Sequence, residues 1–304
     1  MRVTITGATG RIGARLTAAL RERGDEVTAL SRDPERARGA LGPHVAAVRW
    51  DPVAGPAPAE ALEGRDAVVH LAGEDVGQRW TAEVKRRIRV SRELGTRNLV
   101  SGIAAADPRP PLLVSASAAG FYGAHGDERV DESFGPGGDF LAEVCRAWER
   151  EAERATEHGV RVVRVRTGIV LDAEGGALKQ MLPPFKLGVG GPVAGGRQWM
   201  PWIHLDDEVG IFLAALDAPS FSGAVNASAP EPARNADFSR ALGRVLRRPA
   251  VAPVPGLAVK VLFGEMAQVV TEGVRMVPGR AGELGVTFRH PQLDEALRSA
   301  LGRA

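Results

Sequence analysis

The stretch VTITGATGRIG, Val3 to Gly13, passes from a β-branched run directly into a helical pattern. Its glycines, Gly7, Gly10 and Gly13, have G-x-x-G-x-x-G spacing. Each has a task in a phosphate-binding turn. Gly7 permits the tight turn, Gly10 lets backbone approach a pyrophosphate, and Gly13 lets the helix pack closely on the strand. The helix that starts here offers unpaired N–H groups and the positive end of its dipole. A second strand follows, so the unit predicts dinucleotide binding, with Thr9, Arg11 and Ile12 among the contacts.

Working outward, strands and helical patterns alternate. Strand-like runs fall at 2–6, 26–31, 45–50, 66–71, 112–117 and 160–166. Helical patterns fall at 11–23, 80–105 and near 139–157, with Pro108–Pro111 closing the long one. Such alternation implies βαβ units and a parallel sheet. After Thr167 glycine and proline become denser, through Gly188–Gly196, and the elements turn irregular. His204–Leu216 reads as a helix with its entry, and Gly223–Ala227 as a last strand. From Ser228 the pattern is a separate, mostly helical region. Its helices are expected at 235–246, 257–272 and 292–301, with Pro291 as a first-turn proline. The expected fold is α/β: a Rossmann-type doubly wound parallel sheet with a smaller, mostly helical C-terminal domain. Residues 1–227 form the cofactor-binding domain, with an excursion near 170–200 toward the substrate side, and 228–304 the substrate-side domain.

Composition narrows the function. The chain has 304 residues, 44% hydrophobic and 25% charged, with net charge +2, which excludes extended disorder. One cysteine, Cys145, excludes a disulfide framework and fits a reducing compartment. No apolar run reaches the roughly 18 residues of a membrane span, and nothing resembling a leader precedes the first strand, so a cytoplasmic protein is expected. Of 39 basic residues only Lys85, Lys179, Lys186 and Lys260 are lysine, a bias that points to GC-rich, bacterial codon usage. Near-balanced charge argues against a nucleic-acid partner. The cluster Lys85, Arg86, Arg87, Arg89 and Arg92 reads by default as a solvated helix face.

Cofactor choice is read where the second strand ends, at Ser31 and Arg32, the latter 19 residues past Gly13. An acid there would take the ribose hydroxyls of NAD; a guanidinium presents a planar fork that suits a 2′-phosphate. NADP(H) is therefore favoured. Asp33, the next residue, leaves NAD(H) possible.

TGATGRIG, HLAG (His70–Gly73), SRELGTRNLV (Ser91–Val100), SASAAGFYG (Ser115–Gly123) and WIHLDDEVGIFLAAL (Trp202–Leu216) together resemble the extended short-chain dehydrogenase/reductases. HLAGEDVGQRW, GGDFLAEVCRAWE, GVGGPVAGGRQWMPWIHLDD and the C-terminal LGVTFRHPQLDEAL are similar to an atypical branch of them, the "epimerase family protein" type, which has its own C-terminal domain. The resemblance implies an extended Rossmann fold, NADP(H) binding and a generic oxidoreductase or nucleotide-sugar-epimerase activity. It places Leu71, Ala72 and Gly73 in a turn over the cofactor. Asp51, Ser115, Arg166 and Gly168 complete the expected cofactor set. Arg92 stands where the superfamily has the asparagine of its NxxGT helix, so it is expected to reach the cofactor's phosphates or nicotinamide ribose.

The superfamily's acid/base device is Tyr-x-x-x-Lys, in which the lysine lowers the tyrosine pKa. The chain has one tyrosine, Tyr122, and residue 126 is glycine. By position Phe140 and Val144 replace the pair. Ser117, Glu74 and His204 are the candidate substitutes, each with an ordinary structural alternative. Trp199, Pro201 and Trp202 suggest an apolar pocket wall or a packing seam. No metal-ligand spacing and no G-x-S-x-G elbow occur, so neither a metal nor hydrolase chemistry is expected. The expected partner is an unidentified small molecule, with the protein a monomer or homodimer. A catalytically silent NADPH-binding sensor or scaffold is the alternative.

Overall fold

Every residue of the first strand after Arg2 is buried, as expected of a parallel strand covered on both faces. The computed structural model describes residues 1–303. The first half runs β1 (Arg2–Thr6), α1 (Arg11–Glu22), β2 (Glu26–Ser31), α2 (Pro34–Leu41), β3 (Ala46–Arg49), β4 (Ala67–His70), α3 (Ala82–Ala105) and β5 (Leu112–Ala118). Next come β6 (Arg129–Val130), α4 (Phe140–Glu153), β7 (Arg161–Thr167), β8 (Ile169–Leu171), α5 (Gly176–Lys186), β9 (Trp199–Met200), β10 (Trp202–His204), α6 (Leu205–Asp217) and β11 (Gly223–Ala227). The remainder holds β12 (Ala233–Arg234), α7 (Asn235–Leu246), α8 (Gly256–Phe263), α9 (Ala267–Thr271), β13 (Arg275–Met276) and α10 (Leu293–Ala300).

Seven strands form one parallel sheet in the order β3-β2-β1-β4-β5-β7-β11. The chain reverses direction across the sheet between β1 and β4, which opens a crevice at their C-terminal ends. On one face Leu16 and Leu20 of α1 and Phe212 of α6 are fully buried against Ile5, Val69 and Val225. On the other, Leu99 and Ile103 of α3 and Ala152 of α4 cover Val68, Leu113 and Val162. Each such leucine contributes about 1.5–3 kcal/mol. A third cluster joins Leu178 and Phe185 of α5, Trp202, Phe238 and Leu242 of α7 and Leu297 of α10.

Several elements differ from expectation. Residues 34–41 form a helix that the pattern did not suggest; Asp33 caps it through the Arg36 N–H, and Pro34 opens it. The continuous helix expected over 257–272 is two short ones, because Gly264 adopts φ 62° between them. The irregular stretch after Thr167 contains β8 and α5, and β8 pairs with β10. Pro291 precedes the cap Gln292 and so lies outside the first turn of α10. The region after Ser228 also returns to the sheet. Leu284, Val286 and Phe288 pack on the first core, and the Asp207 carboxylate accepts the N–H groups of Arg289 and His290 at 2.7 and 3.0 Å. Among the described residues no helix is long and apolar enough to cross a membrane.

Candidate cofactor site

The glycine-rich turn is built as its spacing requires. Gly7 has φ 68°, and a Cβ there would lie 2.8 Å from the Leu71 carbonyl carbon, so β1 and β4 can approach only over glycine. A Cβ on Gly13 would overlap the Gly7 carbonyl oxygen. Gly10 caps α1 with no side-chain hydrogen bond and no acid in the first turn, whereas α2, α3, α4 and α6 are capped by Asp33, Thr81, Asp139 and His204. The N–H groups of α1 are left for an anion.

Beside this turn lies a cleft of about 820 Å³. Of the residues named from sequence, Gly7, Thr9, Gly10, Ser31, Arg32, Asp51, Leu71, Ala72, Gly73 and Glu74 line it. Arg36, Arg86, Arg87 and Ser91 line it too and were missed. Arg36 lies four residues beyond Arg32, one turn along a helix that the sequence did not reveal. Arg86 and Arg87 belong to the cluster read as merely solvated; they pair with Glu83 and Glu74 at the cleft wall. At the far end Arg32 and Arg36 make no side-chain hydrogen bond or ion pair among the described residues. The Asp33 carboxylate is turned to the Arg36 N–H at 3.0 Å, committed to capping α2.

A relay of hydroxyls and an imidazole holds the opposite wall. Thr6 Oγ1 accepts the N–H groups of Leu71 and Ala72, each at 3.2 Å, and is hydrogen-bonded to His70 Nδ1 at 2.7 Å. His70 Nε2 is hydrogen-bonded to Thr96 Oγ1 at 2.9 Å. Burial, helped by the Arg92 guanidinium, drives the imidazole down to about 3, so it stays neutral. In the sequence His70 stands out only as part of the HLAG turn; its positioning role depends on partners distant in the chain.

The other expected residues lie off the cleft. Arg11 grips Asp172 and pairs with Glu174 at 2.8 Å, and its neighbour Ile12 packs on the core. Gly168 is needed because a Cβ would strike the Pro201 carbonyl. Buried Ser115 donates to the Ala116 carbonyl at 3.1 Å. Ser117 and Arg166 enter a closed network: the Ser117 hydroxyl and the Arg166 Nε reach Glu149 Oε1 at 2.7 and 2.8 Å, and Arg166 Nη1 reaches the Tyr122 oxygen at 2.9 Å. Tyr122 donates in turn to Asn226 Oδ1 at 2.7 Å, and burial pushes its phenol up to about 12. Ser117 and Tyr122 are thereby spent on structure. Glu74 stays on the cleft wall, with Arg87 Nε 3.2 Å from its carboxylate.

His204 accepts the Asp206 N–H through Nδ1 as the cap of α6, and its ring lies 3.9 Å from that of His290. No metal was expected because the histidines are scattered in sequence, yet ligand atoms of His204, Asp206 and His290 lie within 4.8 Å of one another. Their lone pairs are largely committed: Arg15 holds Asp206 at 2.8 Å, and the helix N–H holds His204. Arg92 is half-buried. Its Nη1 donates to the Glu74 carbonyl at 2.9 Å, and its guanidinium stacks on Trp148 at 5.0 Å.

Residues 3–227 match the profile described as the NAD dependent epimerase/dehydratase family. The chain belongs to this family. Residues 254–300 of this epimerase/dehydratase family member match a "Domain of unknown function (DUF1731)". It is 41% identical over 310 residues to "Epimerase family protein SDR39U1 homolog, chloroplastic" of Arabidopsis thaliana, covering 99% of this chain and 87% of that one. It is 39% identical over 303 residues to "Epimerase family protein MT2273" of Mycobacterium tuberculosis, covering 99% and 98%. The crystal structure of human epimerase family protein SDR39U1 (isoform 2) with NADPH superposes with a TM-score of 0.89 at 35% identity, covering 100% of both chains.

Proposed function

We propose that the protein binds NADP(H) in this cleft and acts as an atypical short-chain dehydrogenase/reductase, oxidoreductase or nucleotide-sugar-epimerase-like, on an unidentified small substrate. The carrying observation is the pair of unpaired guanidiniums, Arg32 and Arg36, at the end of a cleft whose other end is the open N-terminus of α1. The helix end fits a pyrophosphate, and the two arginines fit a 2′-phosphate. NAD(H), lacking that phosphate, is the weaker ligand on this reading. The human relative solved with NADPH supports it. When bound, the dinucleotide supplies a transferable hydride. Thr6, His70 and Thr96 brace the Leu71–Ala72 backbone that lines the cleft. Residues 1–227 are the cofactor part and 228–304 the substrate side, in a cytoplasmic monomer or homodimer.

Arg32→Ala is expected to weaken NADPH about 10–100-fold, the worth of charge-assisted hydrogen bonds, and to leave NADH little changed. Equal loss of both cofactors in a fluorescence titration refutes the assignment. A second reading, a silent NADPH-binding sensor or scaffold, is favoured by one feature. Phe140 and Val144, at the tyrosine and lysine positions, cannot move a proton, and the Phe140 ring lies under Lys85 Nζ at 4.7 Å. Substrate-dependent NADPH oxidation in a metabolite screen separates the two.

A further inference from the structure

Arg92 is an arginine in an unusual state. Burial pulls its guanidinium down from its usual value, the nearby Cys145, Asp75 and Glu74 opposing this, yet among the described residues it makes no ion pair. Its neighbours are two carbonyls, of Glu74 and Ile88, the Trp148 ring and Gly73, whose Cβ, if present, would lie 3.1 Å from the guanidinium carbon. The nearest carboxylates are engaged elsewhere: Glu74 lies with Arg87, and Asp75 accepts the Gly77 N–H. A half-buried cation left without an anion is costly, so such groups mark places where a ligand supplies the charge.

The unused edge narrows the ligand to an anion with two oxygens in a fork. Both Arg92 carbonyl contacts use Nη1, leaving Nε and Nη2 without partners among the described residues. Arg86, Arg97, Arg166 and Arg244 each grip a carboxylate with that same Nε–Nη2 edge. The fork matches the two oxygens of a carboxylate. The cofactor's own anions have other seats, at the α1 N-terminus and at Arg32 and Arg36. We infer that Arg92 is the receptor for a carboxylate of the substrate, presented beside Gly73 next to the cofactor cleft. This moves Arg92 from the cofactor, where the sequence placed it, to the substrate. It rests on the cofactor reading, because that reading makes the 71–74 wall the inner side of the site.

The test uses the full chain loaded with NADPH and oxalate as the probe. Calorimetric titration should give saturable oxalate binding, weakened about tenfold or more in Arg92→Gln and only about threefold in Arg92→Lys, which keeps the charge but not the fork. Arg89→Gln, whose native side chain pairs with Glu143 at 2.9 Å, should match wild type. NADPH affinity, measured first for each variant, should stay within about threefold. Absence of oxalate binding by the NADPH-loaded wild type, or equal binding by Arg92→Gln, overturns the assignment. If Arg92→Gln loses NADPH instead, the cation serves the cofactor: the carboxylate assignment falls and the cofactor reading stands. If the wild type binds no NADPH, the cofactor reading falls and takes this inference with it. Melting of Arg92→Gln and Arg92→Lys at the wild-type temperature shows that the fold is intact.

Discussion

Glu208, in the first turn of α6, is fully buried. Its Oε1 accepts the Thr167 hydroxyl at 2.7 Å, and its Oε2 has no partner among the described residues. Burial pushes this carboxyl from 4.5 to about 8, so it is neutral at pH 7. The folded state thus keeps a proton that the unfolded chain releases near pH 4.5. The associated stability is fully present below that pH, is lost progressively as pH rises toward 8, and changes no further above it. The whole effect is on the order of 3–5 kcal/mol. Glu208→Gln can keep the Thr167 contact without a titrating proton. Calorimetric melting from pH 5 to 9 should therefore show the wild type losing ground to Glu208→Gln; parallel curves contradict the prediction. A sequence cannot show such states, because they depend on partners distant in the chain. Gly7, Gly10, Arg32 and Gly73 were legible because turn chemistry and strand ends are local. Ser117 looked available for chemistry, and Arg166 for the cofactor, because Glu149, which holds both, lies on another element.

The phosphate seat belongs to α1 as an element. Gly10 is its cap, and a Cβ there would meet only the Gly7 carbonyl oxygen, at 3.2 Å, so a side chain would otherwise point into open space beside the turn. Gly10→Val should fold yet bind neither NADPH nor NADH, since its methyl groups occupy the approach of the pyrophosphate. Cofactor titration alongside circular dichroism checks this; binding at near wild-type affinity sinks the phosphate-seat reading. The central strands were readable as continuous apolar runs, and the long helices because their burial is periodic. Helix α2 was hidden because only Ala37 of its eight residues is buried, leaving almost no apolar stripe. The break between α8 and α9 was hidden because Gly264 sits inside an apolar run whose pattern continues past it.

At the scale of the molecule, the late segments complete structures begun early. Strand β13 pairs with β6, and Asn226 of β11 donates to the Val277 carbonyl at 2.9 Å while accepting from Tyr122. Leu284, Val286 and Phe288 close the core over α6 and the sheet. The sequence suggested a separate region after Ser228 because its helices look self-contained; nothing local announces that 274–290 is packing material for the sheet. Asp207 illustrates the consequence. One carboxylate at the start of α6 fixes the backbone of Arg289 and His290, so the tail cannot loosen without stranding a buried acid. Two stretches that match separate families should therefore share a single cooperative transition. Differential scanning calorimetry should show one peak, with calorimetric and van't Hoff enthalpies equal, and a chain ending at 227 should expose apolar core and bind ANS. Two resolved peaks would mean that the C-terminal segment is a passenger and not part of the unit that folds.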